Sequence, residues 1–170
     1  MTAQKYYDII YLELEINNFK RRGVMMMSNE DLSLKLFLIL TRATQSITKR
    51  LEADIKNYGL NPTEFGVLEF LFHKGDQPIQ KIGEKILLAS SSITYVVDKL
   101  EKKDLLIRQS CPDDRRVTYA TLTESGKAFM RDIFPKHKKV VEQLFEALDK
   151  EEKEKMILQL KQLGYRAKGL

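Results

Sequence analysis

The sequence has no tryptophan, one cysteine, two histidines and four prolines in 170 residues, and each shortage removes a class of protein. A lone thiol, Cys111, excludes an intramolecular disulfide framework and any cysteine-rich metal centre. His73 and His137 lie far apart and lack the close spacing of a zinc-binding pair, so no metal is expected. No apolar run approaches the length that crossing a bilayer demands. Asp8, Glu13 and Glu15 interrupt the apolar start that a secretion signal needs, so a cytoplasmic location is expected. There is no phosphate loop, no Gly-x-Ser-x-Gly elbow and no zinc-ligand spacing. Asp113 and Asp114 are adjacent rather than converging on a cleft. Neither an enzyme nor a cofactor is expected.

What is present is an apolar fraction of 43% and a charged fraction of 31%, enough for one core with an appended dimerisation region. The net charge of +5, with an isoelectric point near 9.2, is too mild to identify a nucleic-acid partner by itself. The local distribution has to carry that inference.

The stretch from Gln77 to Thr123 organises the chain. Ile79, Ile82 and Ile86 form one apolar row, and Ile93, Val96, Val97 and Leu100 form a second after Ser90-Ser91-Ser92. Two β-rich runs follow, Leu105 to Gln109 and Val117 to Leu122, around a charged connection with Pro112, Asp113, Asp114, Arg115 and Arg116. Two short helices at 3.6-residue spacing followed by a hairpin predict a winged helix-turn-helix. Such a unit lays its second helix in the major groove of DNA and its hairpin beside the backbone or minor groove.

With the second stripe buried, Ser90, Ser91, Ser92, Thr94, Tyr95 and Lys99 are left for the outer face or first turn of that helix. Hydroxyls there can bond phosphates or base edges, although serines at a helix start also serve as plain caps. A guanidinium from Arg115 or Arg116 at a hairpin tip can enter a narrow minor groove, with Asp114 bracing it. A charged hairpin tip can equally be a solvated turn. Cys111 is either a small turn residue or a thiol whose reactivity is raised by the nearby arginines.

Around this unit the chain divides into four segments. Residues 1–27 hold acids among apolar residues, as in an amphipathic helix or strand, and then Lys20-Arg21-Arg22-Gly23 just before three methionines. An in-frame ribosome-binding sequence gives such a tetrapeptide, so the segment is either a leader from a mis-assigned start or a basic arm. Residues 28–60 hold a helix from Asp31 or Ser33 to Lys56, ended by Asn57 and Gly59. Residues 61–122 are the DNA-binding region, opened by Asn61-Pro62 and Glu64 as a cap. Residues 123–170 hold a helix from Thr123 with an apolar row reaching Leu148, expected to kink or break at Pro135, and a last one capped by Asp149 and Glu152 that ends before Gly164. The flanking helices carry more apolar surface than a small lobe can bury, which predicts a two-fold homodimer.

Asp114-Arg115-Arg116, five residues, then Leu122-Thr123-Glu124-Ser125-Gly126 resembles the wing signature of the MarR family of bacterial transcription regulators. Ile93 to Lys103 resembles its recognition helix and Asn61 to Phe65 its preceding helix, so the likeness covers roughly Leu32 to Leu163. It implies a homodimer joined through its terminal helices on a near-palindromic operator of double-stranded DNA, released by a phenolic ligand or thiol oxidation. A narrower likeness is to the Bacillus-type repressors that respond to quinones and hydroquinones, which makes Cys111 a candidate electrophile sensor. Asp104 departs from the pattern, because the family usually places glycine after the recognition helix. The expectation is therefore a mainly α fold with a small β-wing acting as a repressor, and no membrane partner. A winged-helix protein-interaction module that touches no DNA is the alternative.

Overall fold

The structure, a computed structural model, describes residues 28–86, 90–111, 114 and 116–169, with the side chains of Ser90 and Ser91 excepted. The readings placed on residues 1–27 lie outside the described residues. Contacts divide the chain into two compact units, residues 1–50 and 51–170.

Helix α1, Asn29–Lys56, begins in the first unit. It starts ahead of the expected Asp31 or Ser33 because Ser28 caps it, its Oγ accepting from the Asp31 N–H at 3.1 Å. Glu30 and Asp31 suit the positive end of the helix dipole. Within this unit Leu38 is buried, while Leu32, Leu34, Leu36, Phe37 and Ile39 are exposed.

The second unit contains the last turn of α1 and everything after it. Helix α2, Pro62–Lys74, opens on a complete capping box in which Asn61 and Glu64 each accept the other's backbone N–H. Strand β1, Gln77–Pro78, leads into α3, Ile79–Lys85, and then α4, Ser90–Lys102. Strands β2, Leu106–Ser110, and β3, Thr118–Leu122, precede α5, Glu124–Leu144, and α6, Lys150–Lys168. Phe65, Leu68, Ile82, Ile93, Val97, Leu100, Leu106 and Met130 form the centre of one core. The mainly helical fold with a small wing is what the sequence predicts.

Four details differ from expectation. The sheet has three strands in the order β1-β3-β2, because Gln77 and Pro78 pair with Ala120 and Tyr119. Two residues leave no alternation to read, and a proline is tolerated because β1 is an edge. Helix α5 runs unbroken through Pro135, which removes one backbone donor without ending the helix. It stops at Leu144, which leaves Leu148 in the following turn. Helix α6, opened by the expected Asp149–Glu152 box, passes through Gly164 to Lys168 and buries none of its residues.

One joint holds the wing to α5. Asp104 has φ 56°, the left-handed turn for which glycine is the usual residue. Its carbonyl accepts from Thr123 Oγ1 at 2.7 Å and its carboxylate from Ser125 Oγ at 3.1 Å, so side-chain hydrogen bonds offset the backbone cost. Gly126, the first turn of α5, lies against the Leu105 carbonyl, and a Cβ there would sit 2.9 Å from Leu105 C.

A second joint is buried and polar. His137 Nδ1 lies 2.7 Å from Asp54 Oδ2, with Tyr58 donating to Asp54 Oδ1 at 3.0 Å and the Phe65 ring 4.5 Å from the imidazole. Burial, and then the bond to Asp54, push the Tyr58 hydroxyl up to about 12. His137 thus links α5 to the end of α1, a role its isolation in the sequence could not reveal.

Gly126→Ala should destabilise the protein by about 1–3 kcal/mol, because the Leu105 backbone cannot retreat from the new methyl. Urea unfolding of the variant beside the native protein tests the sign and the size.

Candidate nucleic-acid interface

The face that α4 offers to solvent follows from the face it buries. Ile93, Val96, Val97 and Leu100, at the i, i+3, i+4, i+7 spacing of one helical stripe, are all buried. The opposite side carries Ser92, Thr94 and Tyr95, all exposed, and Lys99, which is half-exposed. Lys99 Nζ stands 4.7 Å from the centre of the Tyr95 ring. Its interaction with Tyr95 holds that ammonium above its ordinary range, so the pair offers a cation stacked on an aromatic face. Ser90 and Ser91 fall in the first turn of α4, with side chains outside the described residues.

The wing is the β2–β3 hairpin, with Leu106 opposite Leu122 at its root and Ser110 opposite Thr118 at its far end. Cys111 lies just past β2 rather than on the strand, half-buried, and its N–H donates to the Val117 carbonyl at 3.0 Å. Asp114 then organises the tip. Its Oδ1 accepts from the Arg116 N–H and Nε, both at 3.0 Å, and its Oδ2 from Nη2 at 3.1 Å. These bonds hold the Asp114 carboxyl below the usual carboxylate range. The Arg116 side chain is nevertheless 90% exposed, so Asp114 aims it without covering it. Arg115 lies outside the described residues.

Two features escaped the reading of the sequence. Arg108 on β2 binds Asp98 and Glu101 on α4 and donates to the Thr94 carbonyl at 3.3 Å. Only the packing of wing against helix brings these residues together. An open cleft of about 960 Å³ also lies by the C-terminal end of α4, lined by Lys56, Lys99, Lys102 and Lys103 with Glu52, Glu64, Leu60 and Pro62. Lys103 is anchored there by the buried Glu64 at 3.1 Å and the Gly59 carbonyl at 3.0 Å. Among the described residues no group of histidines, cysteines and carboxylates is placed to hold a metal, and no helix is long and apolar enough to cross a membrane.

Comparison with known proteins finds a match to the MarR family over residues 60–118. The chain is 56% identical over 136 residues to the HTH-type transcriptional regulator MhqR of Bacillus subtilis (strain 168), covering 80% of this chain and 94% of that protein. AbsC, a MarR family transcriptional regulator from Streptomyces coelicolor, is similar in structure with a TM-score of 0.75 at 21% identity, over 86% of this chain and 100% of that one. Sco3205 from the same organism, solved in complex with DNA, has a TM-score of 0.71 at 21% identity, over 82% of this chain and 92% of that one. At such identity the two structures establish the fold alone.

The Asp114–Arg116 bonds give a pH signature. With the carboxyl depressed, the pair is complete at neutral pH and is lost only as pH falls through that lowered value. The Asp114 carboxyl carbon resonance should therefore titrate below the usual carboxylate range and return towards that range in Arg116→Ala. A titration that stays low in that variant would mean that something other than Arg116 holds Asp114.

Proposed function

This chain belongs to the MarR family of DNA-binding transcription regulators, and from that premise we propose that it is a homodimeric repressor of a near-palindromic operator. The observation that carries the reading is the pairing of two surfaces on one compact unit. One is the polar outer face of α4 and the other the exposed Arg116 of the wing. Ser92, Thr94 and Tyr95, with Ser90 and Ser91 in the first turn, read base edges and phosphates in the major groove. Lys99 adds charge against the backbone, and Arg116, with Arg115 beside it, enters the flanking minor groove.

The dimer follows from surface that one chain leaves open. Leu32, Leu34, Leu36 and Ile39 on α1 are each between 47% and 60% exposed, and Met156, Ile157, Leu158, Leu160 and Leu163 on α6 between 40% and 62%. Burying one such side chain fully is worth about 1.5–3 kcal/mol, so a second copy that covers them gains a substantial driving force. Segments 28–60 and 123–170 are thus the dimerisation parts, and 61–122 the DNA-binding part. Two-fold symmetry then sets two recognition helices on two half-sites.

The effector in this reading is a small aromatic or quinone-type molecule. A phenolate suits the cleft beside α4, whose lining combines Lys56, Lys99 and Lys102 with Leu60 and Pro62, alongside Glu52 and Glu64. A quinone reacting at Cys111 is the second route, and that thiol lies three residues before Asp114, which organises the tip. Cys111→Ser separates them. If the serine variant still releases DNA with a quinone, the thiol route is wrong. If release by the quinone is lost while a non-electrophilic phenol still acts, both routes operate.

The DNA reading is tested by titrating a duplex from the region upstream of the gene at two salt concentrations. Binding should fall steeply with salt as phosphate counterions are released, at two chains per duplex. Arg116→Ala should weaken it about tenfold for each half-site without unfolding the protein. Ser92→Ala and Tyr95→Phe should change which sequences bind. An interaction with a protein alone would leave the duplex unbound, and wild-type affinity in Arg116→Ala would remove the wing from the interface.

A further inference from the structure

Asp98 and Glu101 place two carboxylates on the outer half of α4, an odd provision for a helix that meets a polyanion. Both are engaged by one residue of the wing. Arg108 Nη1 binds Glu101, Nη2 binds Asp98, and Nη2 also donates to the Thr94 carbonyl at 3.3 Å. The Arg108 backbone N–H donates to Glu101 Oε1 at 3.2 Å. Its side chain is 26% exposed, against 48% for Asp98 and 39% for Glu101. One guanidinium thus spans two turns of α4 from Thr94 to Glu101, while Glu101 also satisfies a backbone donor on the strand at the edge of the sheet.

We propose that Arg108 is a positioning residue that fixes the angle between the wing and α4, so that groove contacts from the helix and from Arg116 fall on DNA together. The proposal rests on the DNA-binding reading above. Leverage makes the angle matter. The tip lies about 10 Å beyond Arg108 at the ~3.3 Å rise of a strand residue, so a swing of roughly 20° would move Arg116 by about 3 Å. That is enough to lose a hydrogen bond. The root of the hairpin is held by buried Leu106 and Leu122, whereas Gln109 and Ser110 nearer the tip are exposed. Arg108 sits between these two zones, where a tie controls the angle without being needed for the core. A planar guanidinium can hold all three acceptors at once, which a lysine ammonium cannot do in the same fork geometry. Charge neutralisation and positioning therefore come apart in Arg108→Lys, which keeps the cation and loses the fork.

The test has a DNA-free arm and a DNA arm. Nitroxides on Lys102→Cys and Ser110→Cys in a Cys111→Ser background report the helix-to-wing distance in the full-length protein. The distribution should be narrow with Arg108 and broad in Arg108→Lys, with the thermal midpoint showing that the variant is folded. In the DNA arm, Arg116→Ala should cost about tenfold per half-site beside Arg108 but less than about threefold beside Arg108→Lys, a coupling between residues that act together. An equally narrow distribution in Arg108→Lys overturns the proposal, as does an unchanged cost of Arg116→Ala. Should Arg116→Ala cost nothing even beside Arg108, the wing contact is what fails, and the distance distributions still decide whether Arg108 sets the angle.

Discussion

The burial of Ile93, Val96, Val97 and Leu100 is the constraint on which the rest depends. At about 1.5–3 kcal/mol for each side chain, turning α4 to show another face would cost of order 6–12 kcal/mol. That is comparable with the whole stability of an ordinary domain, about 5–15 kcal/mol. The helix therefore has one orientation in the lobe, and Ser92, Thr94, Tyr95 and Lys99 face solvent as a consequence. Their exposure is a by-product of the core, and this is how a packing pattern becomes a recognition surface.

Two polar links, one buried and one half-buried, add geometric definition to that core. Asp54–His137 joins residues 83 apart in the chain and Glu64–Lys103 joins residues 39 apart. A carboxylate taken out of water gains little net stability, since desolvation consumes most of the attraction, but losing its partner is costly. Such links penalise misregistered packings more than they reward the correct one. Glu64 serves twice, capping α2 and holding Lys103 just beyond the end of α4, so the start of one helix and the end of the other are set by a single carboxylate.

Much of this was legible in the sequence, for local reasons. The α4 stripe and the Asn61 and Asp149 capping boxes each depend on residues a few positions apart, and each is found as expected. The wing strands lie within one residue of their expected positions. What escaped was set by distant neighbours or by too few residues. Strand β1 has two residues and exists only because β3 is beside it. Of the kink or break expected at Pro135, the break does not occur: α5 continues through it, its residues packing through Met130, Ile133 and His137. Arg108 looked like one more charge on a strand, because nothing in its neighbours announces the two acids of α4. Ser90, Ser91 and Arg115 belong to the proposed interface on sequence grounds alone.

The central claim is that α4 and the wing grip DNA together, once from each of two chains. A hydroxyl-radical footprint of the full-length protein on the duplex upstream of its gene tests it most directly. The account predicts two protected patches whose centres are about one helical turn, 10–10.5 base pairs, or a multiple of that apart. Each patch should be flanked on its outer side by minor-groove protection that disappears in Arg116→Ala. A single patch without that symmetry, or a cleavage ladder identical with and without protein at low salt, would contradict it.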